Sequence, residues 1–457
     1  MRYVISFLFM ILAVGLAQAQ DATPLDDRGY LQSLIEDNLS TEDTLVRIEG
    51  FNGSLFAASS IDQLTVADVD GVWLTMTGLK LDWSRAALLS RRLEVTELSV
   101  QNIVLDRLPP GKSAPPSAEA KPFKLPELPV EVDIKKIDAA AIALGPSILG
   151  TAATLSLDGS AILSGGAGKV DFQANRIDGP TGTFRIAAGY SNETQVLDLD
   201  ILLDEAPDGI AAHILKLEGR PAVRLAIAGS APLSEFEATL DLQRDAVRRV
   251  SGQVTLASVP DDPAVENQTD RPPARKFSAS LSGDVAPLFA PALTPFFGDS
   301  IALSVDGLRL PDGRVRISSL SAETAALRLG GTLDLAANGL PERFELSGRI
   351  AGAPGEVLML PLPGLSTSLT SAEISARFDA ATGDAWQASA TVQNFTRDGL
   401  SISTAVLNAD GTIATSGTRE VSANLGFAAS GIDHTNADLA RAMGTQLSGL
   451  AVFDWTE

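Results

Sequence analysis

Residues 197–203 read LDLDILL and residues 236–242 read FEATLDL. In the first run Leu197, Leu199, Ile201 and Leu203 take every second position, with Asp198 and Asp200 between them. In the second, Phe236, Ala238, Leu240 and Leu242 alternate with Glu237, Thr239 and Asp241. Successive side chains of a β-strand point to opposite faces, so a period of two sends the apolar set one way and the acids the other. Leu155 and Leu157, Val223, Leu225 and Ile227, Leu303 and Val305, Leu333 and Leu335, and Phe344 and Leu346 continue the same alternation. This predicts a mainly β chain: one long antiparallel sheet, greasy on one face and wet on the other.

The wider composition agrees. The chain has 457 residues, 45% of them hydrophobic but only 5% aromatic, so its apolar surface is aliphatic. Glycine (39) and proline (25) are spread along it as turn punctuation. A formal charge of −22 argues against nucleic-acid partners and against lying flat on an anionic bilayer. There is no cysteine, which excludes disulfides and thiolate chemistry.

The N-terminus carries a targeting signal. After Met1-Arg2 comes an apolar run containing Tyr3, Ile5, Phe7, Leu8, Phe9, Ile11 and Leu12, then Ala17-Gln18-Ala19 as an A-x-A cleavage site. The run is shorter than the roughly 20 residues a spanning helix prefers. Export with cleavage near Ala19 is the favoured expectation and an uncleaved signal anchor the alternative. Both place residues 20–457 outside the cytoplasm.

Organisation follows from period and punctuation. Residues 20–45 predict an amphipathic helix or cap, with Tyr30, Leu31, Leu34 and Ile35 on one face. Residues 46–108 form a first β-segment with a short helix at 84–90. Residues 109–129 hold seven prolines and predict a loop. From 130 to 457 the strand pattern continues, with another proline-rich loop near 258–276. Runs such as LSLDGSAIL (155–163), LAIAGSAPL (225–233) and LRLGGTLDL (327–335) place glycines between alternating apolar residues, as hairpin turns would. Their spacing is irregular, so no strict repeat is expected. The closing VFDWTE reads as a strand with an unpaired edge, so the chain is expected to be part of something longer.

Chemistry is sparse. His213 and His434 have no metal-ligand spacing. Gly165-Gly166-Ala167-Gly168-Lys169 lacks the Ser or Thr of a P-loop, and Asp68-Val69-Asp70-Gly71 lacks the later Glu of a calcium loop. The expectation is a non-enzyme without metal or cofactor.

An apolar sheet face must be covered. A sandwich of two sheets is one solution, a trough holding something lipid-like the other. The length of the array, its lack of domain-sized divisions and its few aromatics favour the trough. Some 25–30 strands at ~4.8 Å would make it on the order of 100 Å long. Its lining would be Leu155, Leu157, Leu197, Leu199, Ile201, Leu225, Ile227, Leu240, Leu303, Val305, Leu333, Leu335, Phe344 and Leu346.

The segment VWLTMTGLKLDWSRAALLSRRLEVTELSVQNIVLDRLPP (72–110), most specifically LDWSRAALLSRRLEV, resembles the N-terminal region of the TamB family of AsmA-like envelope proteins. Residues 46–71 and 128–163 fit the same pattern, and beyond residue 165 the similarity is one of pattern only. The resemblance implies a periplasm-facing β-taco groove between inner and outer membranes, anchored or exported through the N-terminal segment. It implies phospholipid transport, support of outer-membrane protein and autotransporter assembly, and a partner barrel of the Omp85 class, TamA. It also implies that the chain continues into a C-terminal domain, so this sequence is expected to be the N-terminal portion of a longer protein. The alternative is a non-transporting structural or adhesin-like β-repeat protein of the envelope.

Overall fold

Hydrogen-bonded strands account for most of the computed structural model, which describes residues 32, 36, 39–41, 44–53, 58–109, 124–259, 273–362, 364–414 and 420–456. The expected signal, most of the 20–45 helix and the middles of both proline-rich loops lie outside the described residues. Gln32, Glu36 and Leu39 are helical.

The first strands are β1 (Leu45–Asn52), β2 (Ser59–Asp68), β3 (Gly71–Ser84), β4 (Arg92–Leu105), β5 (Glu131–Leu144) and β6 (Ala153–Ser164). Next come β7 (Ala167–Arg176), β8 (Gly182–Ser191), β9 (Val196–Glu205), β10 (Val223–Pro232), β11 (Glu235–Arg244) and β12 (Val247–Ser258). They are followed by β13 (Arg275–Gly283), β14 (Ile301–Arg309), β15 (Val315–Glu323), β16 (Leu327–Leu335), β17 (Pro341–Ala351) and β18 (Leu358–Met359). The last are β19 (Thr367–Leu369), β20 (Ser371–Asp379), β21 (Ala385–Arg397), β22 (Leu400–Thr412), β23 (Glu420–His434) and β24 (Gln446–Thr456). Short helices interrupt them: α1 (Arg85–Leu88), α2 (Pro146–Leu149), α3 (Ile210–Ile214), α4 (Thr294–Phe297) and α5 (Ala437–Met443).

All 24 strands among the described residues belong to one sheet, and it does not close. Each strand pairs with the next in sequence up to β17, which pairs with β20, and the file then runs on to β24. The small β18–β19 hairpin lies beside it, with β19 and β20 both lying along β21. The file is on the order of 100 Å long at ~4.8 Å per strand. Among the described residues there is no second sheet to make a sandwich.

One junction departs from the expected antiparallel meander: β4 and β5 are parallel. A parallel partner must start at the same edge as its predecessor, so the proline-rich connection returns from one rim of the sheet to the other. Ion pairs stitch this junction. Lys136 reaches Glu97 at 2.8 Å, Lys135 bonds Glu94, and Arg92 lies 3.6 Å from Glu131. The lysines hold both glutamates below the usual carboxylate range.

The strand ends define two rims. The first carries the connections after β2, β5, β7, β9, β11, β13, β15, β17, β21 and β23, and from β5 onward these alternate in length. Residues 145–152, 206–222, 284–300, 352–370 and 435–445 are long and hold α2 to α5 and the β18–β19 hairpin. Residues 177–181, 245–246, 324–326 and 398–399 are short. The groove is therefore built on a four-strand unit, about 19 Å of sheet, that the irregular sequence spacing hides.

Glycines also sit differently from expectation. Gly159, Gly229 and Gly331, read as turn residues, lie inside β6, β10 and β16. A Cβ on Gly159 would stand 2.4 Å from the Phe172 ring, so it leaves room for a cross-strand aromatic. The tight turns lie elsewhere. Gly165-Gly166, Asp245-Ala246 and Asp398-Gly399 each have two successive positive φ values, the geometry that two-residue hairpins demand. The P-loop-like glycines thus form the β6–β7 turn. The calcium-like run is the β2–β3 turn, where the Arg107 guanidinium bonds Asp68 and holds its carboxyl below the usual range.

Candidate functional site: an open apolar groove

Directly opposed residues on neighbouring strands share a face, so cross-strand pairs trace the floor. One line runs Phe172, Ile186, Ile201, Ile227, Leu240, Gly252, Leu281 and Leu303. It continues through Ala322, Leu329, Gly348, Ile374, Ala390, Leu407 and Phe427 to Gly449. No polar side chain interrupts it. A parallel line from Val170 through Leu199, Val254, Val305 and Leu346 to Ala451 is equally free of polar groups.

Every lining residue expected from sequence falls on this one face. Ile201, Ile227, Leu240 and Leu303 lie in the first line, and Leu199, Val305 and Leu346 in the second. Leu157 and Leu225 flank them toward the first rim, Leu197, Leu333 and Phe344 toward the second. Leu155 and Leu335 stand at the rims, Leu155 directly opposite Arg176. Asp200 is on the other face, 3.9 Å from Arg185.

The floor is open. Ile186 is 47% exposed, Leu303 40% and Ile374 48%. Large aliphatics in a closed core would be nearly inaccessible. Near the C-terminal end the floor deepens into a cavity of about 370 Å³, walled by Leu329, Leu346, Ile374, Leu407 and Leu425 over Ala376, Ala388, Ala390 and Ala409. The opposite face is wet. Arg224 pairs with Asp204 at 2.6 Å, and a shallow hollow of about 570 Å³ is lined by Arg328, Arg349, Glu373 and serine hydroxyls.

Burial is concentrated at the rims. On the first rim Ala212, Leu217, Val285 and Leu288 of the long connections close over Val223, Val250 and Ile301. Phe296 and Leu358 do the same over Ala326. On the second rim Leu125 packs with Tyr190, Leu233 and Phe236, and Leu128 against Leu93, Val95, Val132 and Ile134. Asn192 fastens Leu125 by accepting its N–H at 2.9 Å and donating to its carbonyl at 2.8 Å.

Charge reaches the groove face only near the rims. Glu205, 2% exposed, accepts the N–H groups of Ile210 (2.8 Å) and Ala211 (2.7 Å), pinning α3 over the strand ends. Gly209 permits the approach, since a Cβ there would lie 2.8 Å from Glu205. Arg176 lies nearby and donates to Asp178 at 2.7 and 3.0 Å, which holds the Asp178 carboxyl below its ordinary range. Sequence gave no sign of this latch, because one acid ending an apolar strand looks like a solvated terminus. Leu125 and Leu128 were hidden among prolines. Among the described residues no cluster of His, Cys, Asp and Glu could hold a metal ion. His434 accepts the Asn436 N–H at 2.8 Å, a turn contact, and His213 lies in α3.

No protein-family model, curated protein or solved structure matches this chain.

Proposed function

We propose that the groove carries acyl chains, and that the protein conducts phospholipids through the aqueous space of a bacterial envelope. The observation that carries this reading is the unbroken, solvent-open apolar line from Phe172 to Gly449. An acyl chain laid on it gains about 0.8 kcal/mol per buried methylene. A polypeptide would do worse. Backbone N–H and C=O groups facing such a floor lose water without finding partners, at about 1–3 kcal/mol each. The floor offers no hydrogen bond to a headgroup, so lipids are held by their tails and headgroups stay at the mouth. The resemblance to TamB-like proteins supports the envelope setting and an Omp85-class barrel as the outer-membrane partner, with inner-membrane attachment through the N-terminal segment if that is uncleaved.

The test is photo-crosslinking in cells with a probe at Leu199, Leu225 or Asp200. Phospholipid adducts are expected at the two leucines and not at the aspartate. Crosslinks from the leucines only to the chain itself would leave a structural role.

A further inference from the structure

The long connections of the first rim bury one set of apolar residues and expose another. Ile214 ends α3 and Leu215 follows it, Phe289 lies between β13 and β14, and Leu362 and Leu365 occupy the connection that bears β18 and β19; all are exposed. The buried members of the same connections, Ala212, Leu288 and Leu358 among them, pack into clusters that include the groove residues Leu240, Leu281 and Leu327. Exposed Phe289 stacks on Phe297 with ring centroids 4.4 Å apart, and Phe297 packs on both clusters, so apolar side chains run from the floor over the first rim to solvent. Exposed apolar residues recur in the successive long connections 206–222, 284–300 and 352–370, about 19 Å apart, and again at Leu439 in 435–445.

The second rim is different. Among its described turns are Gly165-Gly166, 192–195 (NETQ) and 380–384 (AATGD), which carry no large apolar side chain. Leu233, Leu340 and Ile413 in other described turns of this rim are buried; the exposed exceptions are Leu88 at the end of α1, Leu89 after it and Trp455 at the end of β24. An asymmetry kept up along the sheet is not the scatter of single exposed leucines found on any surface.

We propose that the first rim is the loading edge. It rests on a phospholipid bilayer and takes acyl chains sideways into the groove, rather than only through an end of it. This rests on the acyl-chain reading above. The exposed residues suit partial insertion between headgroups, and their continuity with the floor gives a tail an unbroken apolar path. A chain of net charge −22 is repelled by anionic lipid, so the bilayer that fits is zwitterionic.

The experiment uses the full chain and phosphatidylcholine vesicles doped with a lipid whose acyl chain is fluorescent and self-quenched in the vesicle. Dequenching on transfer reports the rate of uptake and the amount held at saturation. The quadruple variant Ile214→Asp, Leu215→Asp, Leu362→Asp, Leu365→Asp is expected to slow uptake about tenfold, a change of about 1.4 kcal/mol. Saturation should be unchanged, since every substituted side chain is exposed. Thr194→Asp with Ala337→Asp on the second rim should alter neither. Normal uptake by the quadruple variant, or equal slowing by the second-rim pair, overturns the loading edge and leaves the acyl-chain reading standing. A wild-type chain that holds no lipid even at saturation removes both.

Discussion

Placing a carboxylate on the groove floor separates an open trough from a closed core. Leu303 is 40% exposed and stands between Leu281 and Ala322 on the adjacent strands. Full burial of a leucine stabilises by about 1.5–3 kcal/mol, so Leu303→Asp gives up roughly 1–2 kcal/mol of it. The new carboxylate keeps its water because the face is open, and no large desolvation cost is added. In a closed interior the same change would strand an unpaired charge, costing several kcal/mol and in most cases the fold. Urea unfolding followed by circular dichroism gives the stability difference. Binding of a fluorescent fatty acid, expected to weaken, gives the functional one. Ser304→Asp, on the wet face between Ser280 and Ser321, should leave both unchanged. A loss above about 4 kcal/mol for Leu303→Asp would falsify the open groove.

Val250→Ala, at a residue 3% exposed beneath the first-rim connections, should cost about 2 kcal/mol by urea unfolding, more than the exposed floor positions. Gly307→Ala puts a Cβ 2.3 Å from Phe277 Cζ and 2.7 Å from the Arg316 carbonyl, so a loss of about 1–3 kcal/mol is expected, and a neutral result would contradict the close approach. Glu94 and Glu97 titrate below their unfolded value of about 4.3 because Lys135 and Lys136 bond them. Their stabilisation is complete above that pH and is lost as pH falls through the lower, folded values. Protection of the β5 amides, measured as exchange relative to their intrinsic rates at each pH, should therefore fall below about pH 4 and stay constant between pH 5 and 8. Gln32→Ala with Glu36→Ala removes the side chains that bond the Ile48 carbonyl and N–H on the free edge of β1. Sedimentation should then show concentration-dependent association through that edge.

The apolar face was legible because side-chain alternation is a local property. Each strand declares its face, and antiparallel neighbours in register put leucine beside leucine, as Ile201 meets Ile227. Direction was not legible. A strand entering parallel to its neighbour, as β5 does, has the same alternation as one entering antiparallel. The four-strand unit was hidden because its marker is the length of connections on one rim, while the strands between carry no distinguishing sequence. Glycines were misplaced for a related reason. A glycine flanked by alternating apolar residues suits both a turn and a strand interior, and the choice at Gly159 rests on Phe172 across the ladder.

Stability and function are assigned to different parts of this sheet. The most deeply buried residues lie at strand ends, in connections such as the one Glu205 pins, or near β1 where the sheet begins. The floor between contributes backbone pairing and only partial burial. An array whose units contact chiefly their neighbours is stabilised by local interfaces rather than by one central core. Its middle then need not be filled by the protein's own side chains. The rims and ladders hold the sheet, and apolar surface that a globular fold would consume stays available to a guest. Two of the glycines on the lines through Leu199 and Leu303 are kept for packing along the floor rather than for depth: a Cβ would stand 2.8 Å from Ile374 at Gly348 and 2.7 Å from Leu346 at Gly331. Neighbouring aliphatics thus lean across them, and the floor stays continuous although two strands contribute no side chain there.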